Sequence, residues 1–234
     1  MLNSVGLQNP GVDAVVSEEL PDLAAIFRKP VMANVCGGSP EDYAVVARKL
    51  DGCEQVGWME VNISCPNVRS GGMAFGTDPE AAASVIGAVR KVTDKPLIAK
   101  LSPNVTDIVT IAKACEAAGA DGLTAINTLL GMRIDLKSGR PVLSNGMGGF
   151  SGPAVFPVAV RAVYQIAHAV DLPVVGCGGI TTAENVIEMM MAGAAAVQVG
   201  SANLVDPYAC QTIVRDLPET MRRYGITSLR ELAV

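Results

Sequence analysis

Aromatic residues are scarce in this chain, and long apolar runs and blocks of basic charge are missing. Phe, Trp and Tyr make up 4% of the 234 residues, although 50% of the residues are hydrophobic. An apolar fraction built mainly from small aliphatic side chains is typical of buried parallel strands packed under helices. The composition therefore favours an α/β protein and argues against an all-β sandwich.

The charge distribution excludes two classes of partner. The net charge is -5, and it comes from scattered acids and bases. Nucleic acids and anionic membranes attract clusters of Lys and Arg, which this sequence lacks. The most apolar stretch, residues 189–197, is far shorter than the roughly 20 residues of a membrane-spanning helix, and we expect it to lie in the core. Because the chain begins without the pattern of a signal peptide, we expect a cytoplasmic protein.

The six cysteines are dispersed, and no two of them form a C-x-x-C pair. This spacing fits neither a zinc site nor an iron–sulfur cluster nor a disulfide framework. We therefore expect reduced cysteines, most of them buried as small apolar side chains, and no metal site in the chain.

Short apolar runs alternate with helical patterns along the chain, as in consecutive βα units. The six predicted strands lie at residues 31–35, 58–63, 97–101, 123–126, 174–176 and 196–199. Helix starts are predicted at Ser39-Pro40, Asp78-Pro79 and Asp206-Pro207, with weaker caps at Thr106 and Thr182. No linker interrupts the alternation, so we predict one domain over residues 1–234.

Two glycine-containing loops near the C-terminus favour a closed barrel over an open sheet. Gly178-Gly179 follows the fifth predicted strand and Gly200-Ser201 follows the sixth. A (β/α)8 TIM barrel builds its phosphate site from the loops after strands seven and eight. Counting back makes residues 31–35 the third barrel strand, so we expect the first two βα units, about 60 residues, to be missing from this chain.

Two polar residues stand out at the predicted strand ends. Cys65 follows a strand and lies between Asn62 and Asn67, whose amides offer donors and acceptors to a small heterocycle; alone, it would be interpreted as a structural thiol. Lys100 lies inside an apolar strand and needs an anionic partner, either a core carboxylate or a ligand. The glycine-rich residues 69–76 form either a lid or an ordinary surface loop, and residues 132–150 suggest a hairpin.

Several motifs in order resemble the class 1 dihydroorotate dehydrogenases. They are residues 3–11, Asn62-Ile63-Ser64-Cys65-Pro66-Asn67, Lys100-Leu101-Ser102-Pro103-Asn104, Ile126-Asn127-Thr128, Ser151-Gly152-Pro153, Gly178-Gly179 and Gly200-Ser201. Residues 71–79 resemble the NAD-linked class 1B branch. The resemblance implies FMN-dependent oxidation of (S)-dihydroorotate to orotate in de novo pyrimidine (UMP) biosynthesis. In that reaction Cys65 would be the base for the C5 proton, while C6 delivers hydride to flavin.

The resemblance also implies a set of binding residues. Substrate would be bound by Asn3, Ser4, Val5, Gly6, Leu7, Asn62, Asn67, Asn127 and Thr128. FMN would be bound by Asn34, Asn62, Lys100, Ile126, Gly152, Gly178, Gly179, Gly200 and Ser201. Among these, Lys100 would lie beside the N1/O2 edge of the flavin, and the glycines would offer backbone N–H groups near its phosphate.

Reoxidation of the flavin requires an acceptor outside this chain, which has neither a dinucleotide fingerprint nor a cysteine cluster. The resemblance implies a partner subunit with FAD and a [2Fe–2S] cluster that passes electrons to NAD⁺. The expected assembly is a heterotetramer built on a homodimer of this chain. Three alternatives remain open at this point: a dihydropyrimidine dehydrogenase-like flavoenzyme, a non-catalytic flavin- or phosphate-binding truncated remnant, and a flavin-free barrel isomerase or aldolase.

Overall fold

The structure, a computed structural model, describes residues 1–64 and 75–232, and its contacts group them into two compact units. The N-terminal unit comprises Val5–Leu101 and Thr110–Leu123. The C-terminal unit comprises Met1–Ser4, Ser102–Val109 and Thr124–Val234. That residues 1–234 form a single domain stays a prediction.

Strands and helices alternate along most of the described chain. The strands are β1 (Leu2–Asn3), β2 (Val31–Val35), β3 (Val56–Asn62), β4 (Leu97–Lys100), β5 (Gly122–Ala125), β6 (Leu129–Gly131), β7 (Gly148–Phe150), β8 (Val174–Cys177) and β9 (Ala194–Gln198). The α-helices are α1 (Val12–Ala14), α2 (Leu20–Ile26), α3 (Pro40–Asp51), α4 (Pro79–Arg90), α5 (Ile108–Ala117), α6 (Phe156–Ala167), α7 (Ala183–Met191), α8 (Ala202–Val205) and α9 (Ala209–Arg223). A π-helical segment, Val15–Glu19, joins α1 to α2, and 3-10 segments lie at Phe75–Thr77, Pro153–Val155 and Leu229–Glu231.

All six predicted strands are present, as β2, β3, β4, β5, β8 and β9, with ends that differ by at most two residues from the predicted ones. The α/β class is therefore confirmed. The helices before β2, from Val12 to Ile26, were not predicted.

The sheet of the N-terminal unit has two chemically different faces. Its strands β2, β3 and β4 pair in parallel, and β5 follows β4 in the order. Side chains alternate between the faces of a strand, and residues in register point to the same face. One face carries fully buried apolar side chains, which are those of Val35, Met59, Val61, Leu97 and Ala99. Helix α3 packs against β2 and β3. The opposite face carries Asn34, Glu60, Asn62 and Lys100 toward the carboxyl ends of the strands, and the apolar Met32, Trp58 and Ile98 before them.

The C-terminal unit contains a parallel pair and a small antiparallel sheet. Strands β8 and β9 pair in parallel, with α6 against β8 and α7 against β9. Strands β1, β7 and β6 form the antiparallel sheet in that order. The pairing of β6 with β7 confirms the predicted hairpin.

Three of the predicted helix caps are present. Ser39 Oγ accepts from Asp42 N at 3.2 Å before α3, and Asp78 Oδ1 accepts from Ala81 N at 2.8 Å before α4. Thr182 Oγ1 accepts from the backbone N–H of Asn185 at 3.3 Å and forms a capping box with it before α7. Each cap satisfies an N–H group that the first helical turn leaves unpaired.

Two predicted caps were misplaced. Asp206 does not cap α9, because its Oδ1 accepts from Tyr208 N at 2.9 Å in a turn that precedes the helix. Thr106 does not cap α5 either. The neighbouring Asp107 Oδ1 accepts from Val109 N at 2.9 Å, at the start of that helix. In both places an Asp side chain accepts from the backbone N–H two residues later in the chain, as in an Asx turn.

Among the described residues, no helix is long and apolar enough to cross a membrane, and no cluster of His, Cys, Asp or Glu could hold a metal ion.

The interpretation of residues 189–197 as core is only partly right, because Met191, Ala195 and Ala196 are exposed.

The expectation that most cysteines are buried was wrong. Of the described cysteines only Cys115 is buried, Cys210 is exposed, and the half-buried ones are Cys36, Cys53 and Cys177. The half-buried cysteines lie at or just beyond the ends of strands and helices, where neighbouring elements cover a side chain incompletely.

We expect Cys115 to resist alkylation in the native protein. Burial raises the pKa of its thiol to about 12, so the reactive thiolate is scarce at pH 8. Iodoacetamide at pH 8, followed by peptide mass spectrometry, should label Cys210 and leave Cys115 unlabelled. Both should be labelled in denaturant, and rapid native labelling of Cys115 would contradict the burial.

Candidate functional site

Four polar side chains meet at the carboxyl ends of adjacent parallel strands in the N-terminal unit. We call Asn34, Glu60, Asn62 and Lys100 the strand-end cluster. Asn34 is in register with Glu60, and Asn62 with Lys100, on β2, β3 and β4. Carboxyl ends of parallel strands are where α/β folds bind ligands, so the cluster is placed for function.

A single carboxylate oxygen links three strands within this cluster. Glu60 Oε2 accepts from Asn34 Nδ2 at 2.7 Å and from Lys100 Nζ at 3.1 Å. The side chains of Glu60 and Lys100 are 4% and 16% exposed. The anionic partner that Lys100 was predicted to need is therefore present as a core carboxylate. Removing either charge would leave the other buried without its ion-pair partner, which typically costs about 3–5 kcal/mol.

Glu60 was missed as a candidate site residue in the sequence. The available signal was an acidic residue inside an otherwise apolar strand, the same signal that drew attention to Lys100. What sequence spacing does not show is the register between β3 and β4, which puts Glu60 and Lys100 on the same face.

The end of β3 is fixed by hydrogen bonds to its backbone and side chain. The hydroxyl of the fully buried Tyr43 on α3 donates to Asn62 O at 2.7 Å. Ser64 Oγ donates to Lys100 O at 2.9 Å, and Ser64 N donates to Asn62 Oδ1 at 3.2 Å. These bonds hold the backbone of Asn62 and Ser64 in place. Cys65, Asn67 and most of the predicted lid at 69–76 lie outside the described residues.

The N-terminal unit also contains a cavity of about 420 Å³. Its lining is mainly apolar, and it includes two predicted residues, Leu7 and Asn34. Gly6 and Leu7 both have positive φ, 77° and 58°, so the chain turns sharply there. Val5, Gly6 and Leu7 are exposed.

The predicted substrate segment Asn127-Thr128 is braced within the C-terminal unit. Asn127 Oδ1 accepts from Thr128 N at 2.8 Å. Asn104 Nδ2 donates to Thr128 O at 3.0 Å, and Asn104 Oδ1 accepts from Leu130 N at 2.8 Å. Asn104 therefore clamps the backbone at Thr128 and Leu130, a role that its place in the sequence motif did not reveal.

Asn3 and Ser4, also predicted to bind substrate, belong to the same unit. Asn3 lies in β1, in register with Gly149, and Ser4 is half-buried just beyond that strand. A side chain at Gly148 would collide with Asn3 O, so glycine lets these backbones approach closely.

The glycines predicted to lie near phosphate show tight backbone packing. Gly152, Gly178 and Gly179 have φ values of 109°, 133° and 75°, which strongly favour glycine. A Cβ atom at Gly179 would lie 2.8 Å from both Gly152 O and Phe156 N. The predicted flavin contact Ile126 is buried close to Gly178, where a Cβ atom would lie 3.4 Å from Ile126 Cγ1.

A second cavity, of about 300 Å³, lies in the C-terminal unit. It brings together Gly152 and Ser201, with Thr181 and Asp206 also in its lining. Gly178, Gly179 and Gly200 do not line it. A Cβ atom at Gly200 would meet nothing within 4 Å, so its backbone is open on that side.

Comparison with known proteins identifies the family. The family model for Dihydroorotate dehydrogenase matches residues 1–221. The chain belongs to the dihydroorotate dehydrogenase family. The relatives in Anoxybacillus flavithermus and Geobacillus kaustophilus, 54% and 55% identical over 231 residues, are both named dihydroorotate dehydrogenase B (NAD(+)), catalytic subunit. The match covers 99% of this chain and 74% of each relative.

A solved structure has the same fold. The crystal structure of DHODH in complex with ferulenol from Eimeria tenella superimposes with a TM-score of 0.79. The match covers 99% of this chain and 70% of that chain, at 18% sequence identity. This likeness confirms the predicted TIM-barrel class of fold.

Dihydroorotate dehydrogenases are FMN-dependent, and the described residues fit such a group. Asn34 and Lys100 offer amide and ammonium groups at the strand ends, where a flavin ring has carbonyl and ring-nitrogen acceptors. Ser151 Oγ, next to Gly152, is buried and has no hydrogen-bond partner among the described residues. Buried hydroxyls are normally paired, so this atom suits a polar ligand group.

We expect Asn104→Ala to loosen the Asn127-Thr128 segment without unfolding the protein. The variant removes the acceptor of Leu130 N–H, and one such hydrogen bond is worth about 0.5–1.5 kcal/mol. Hydrogen exchange should be faster at Leu130, while Asn145→Ala, an exposed change in the same hairpin, should leave it unaltered. Equal protection in the Asn104 variant would show that the clamp has no effect.

Proposed function

We propose that this chain oxidises (S)-dihydroorotate to orotate with FMN, in de novo pyrimidine biosynthesis. The observation that carries the proposal is the 54–55% identity, over 99% of the chain, to proteins named as catalytic subunits of dihydroorotate dehydrogenase B. Supporting it independently, the strand-end cluster puts an ammonium group and two amides on one face of a parallel sheet. Such donors suit a ring that gains negative charge on reduction.

Bound FMN would supply the hydride acceptor. The residues of this chain would then bind and orient the substrate and move its proton. Cys65 would take the C5 proton on its sulfur, while the C6 hydrogen leaves as hydride and the C5=C6 double bond forms. Asn62, Asn67, Asn127 and Thr128 would bind the pyrimidine through amide and hydroxyl groups, with the turn at residues 3–7 supporting the substrate.

Each cofactor residue has a proposed task. Lys100 would stabilise the negative charge of the reduced flavin, with Asn34 and Asn62 contacting the ring and Ile126 packing against it. The phosphate would be bound by N–H groups of Gly152, Gly178, Gly179, Gly200 and Ser201, since glycine lets a ligand approach the backbone closely.

The relatives are named catalytic subunits of an NAD⁺-dependent enzyme, which supports a partner subunit for this chain. We propose that this partner carries FAD and a [2Fe–2S] cluster and passes electrons to NAD⁺. The assembly would be a cytoplasmic heterotetramer with a homodimer of this chain at its centre.

We expect Cys65→Ala to keep FMN but to lose reduction by dihydroorotate. Loss of a general base typically slows a reaction about 10²–10⁴-fold. The measurement is anaerobic stopped-flow bleaching of the flavin absorbance after dihydroorotate is added, with Cys210→Ala as control for removing an exposed thiol.

A Cys65→Ala rate within threefold of the control would rule out Cys65 as the base. Wild-type protein that binds FMN but is not bleached by dihydroorotate would contradict the proposed function itself.

A further inference from the structure

Glu60 is the one residue of the strand-end cluster for which the proposed function has no role. Its carboxylate is almost fully buried, at the centre of the cluster, between Asn34 on β2 and Lys100 on β4. The two donors converge on the same oxygen, Oε2. The geometry therefore fixes both the position and the electrostatic surroundings of the Lys100 ammonium group.

Stability alone does not explain this arrangement. A buried ion pair is seldom more stabilising than apolar side chains of similar size, because both charges lose their hydration. The opposite face of the same strands is filled by such side chains, including Met59 and Val61. A carboxylate at position 60 therefore points to a task that an apolar residue could not perform.

The negative charge of Glu60 cancels part of the electrostatic effect that Lys100 has on a group bound next to it. A flavin gains negative charge when it is reduced, and a nearby ammonium group favours that form. A carboxylate 3.1 Å from the same ammonium group offsets part of this attraction. Because the pair is largely excluded from water, salt and solvent screen its field only weakly.

We infer that Glu60 is a positioning residue that holds Lys100 in place and lowers the reduction potential of the bound flavin by offsetting the lysine charge. The inference rests on the proposed function, which places the flavin beside Lys100. A lower potential would help the reduced flavin to pass its electrons onward.

Glu60→Gln tests the inference, since it keeps the shape and an acceptor oxygen but removes the charge. The reduction potential of FMN-loaded protein is measured by anaerobic dithionite titration against a reference dye. We expect the variant to favour reduced flavin at least tenfold more than wild type, about 30 mV for a two-electron couple. Glu54→Gln, an exposed carboxylate two residues before β3, is the matched control and should leave the potential unchanged.

Two further variants separate charge from packing. In a Lys100→Met background, adding Glu60→Gln should shift the equilibrium less than threefold, because the charge that Glu60 offsets is gone. Glu60→Asp keeps the charge and should stay within threefold of wild type. It also provides a test if the Gln variant does not fold.

The inference is overturned if Glu60→Gln matches the Glu54 control, or if its shift persists undiminished without Lys100. It is also overturned if Glu60→Asp raises the reduction potential by the amount expected for Glu60→Gln, about 30 mV or more. Failure of the proposed function shows separately, as wild-type flavin that dihydroorotate does not bleach. The dithionite titration needs no substrate, so it tests Glu60 in either case.

Discussion

The parallel register of β2, β3 and β4 is the constraint on which the strand-end cluster depends. It aligns Asn34 with Glu60 and Asn62 with Lys100, so that four polar side chains share one face. A slip of one residue would turn the polar side chains of a strand toward the opposite, apolar face. The fully buried Val35, Val61 and Ala99 make such a slip costly, because each would leave that face.

The Glu60–Lys100 pair links this register to chemistry. Either charge alone would be costly at this depth, and together they are tolerated because Asn34 also donates to the carboxylate. The same pair then sets the local field that a ligand at the strand ends experiences. Under the proposed function the same atoms would serve both stability and flavin binding, so a substitution here would change the stability of the protein and the properties of the bound flavin.

In the C-terminal unit the predicted site residues are held in place by close backbone packing and backbone hydrogen bonds rather than by an ion pair. Gly152 and Gly179 approach so closely that a Cβ atom at Gly179 would lie 2.8 Å from Gly152 O. The Asn104 side chain hydrogen-bonds to Thr128 O and Leu130 N. Such local bracing holds a polar segment in place before any ligand arrives, which reduces the ordering that binding would require.

Much of the fold could be inferred from residue order, because strand and helix signals are local. Short apolar runs located the strands, and Ser39, Asp78 and Thr182 marked helix starts. The motif around Asn62 and Cys65 indicated the family. The roles of Glu60, Tyr43 and Asn104 were decided by tertiary structure alone. Each acts on a residue distant in the chain, and such pairings depend on strand register and helix packing, which local patterns do not encode.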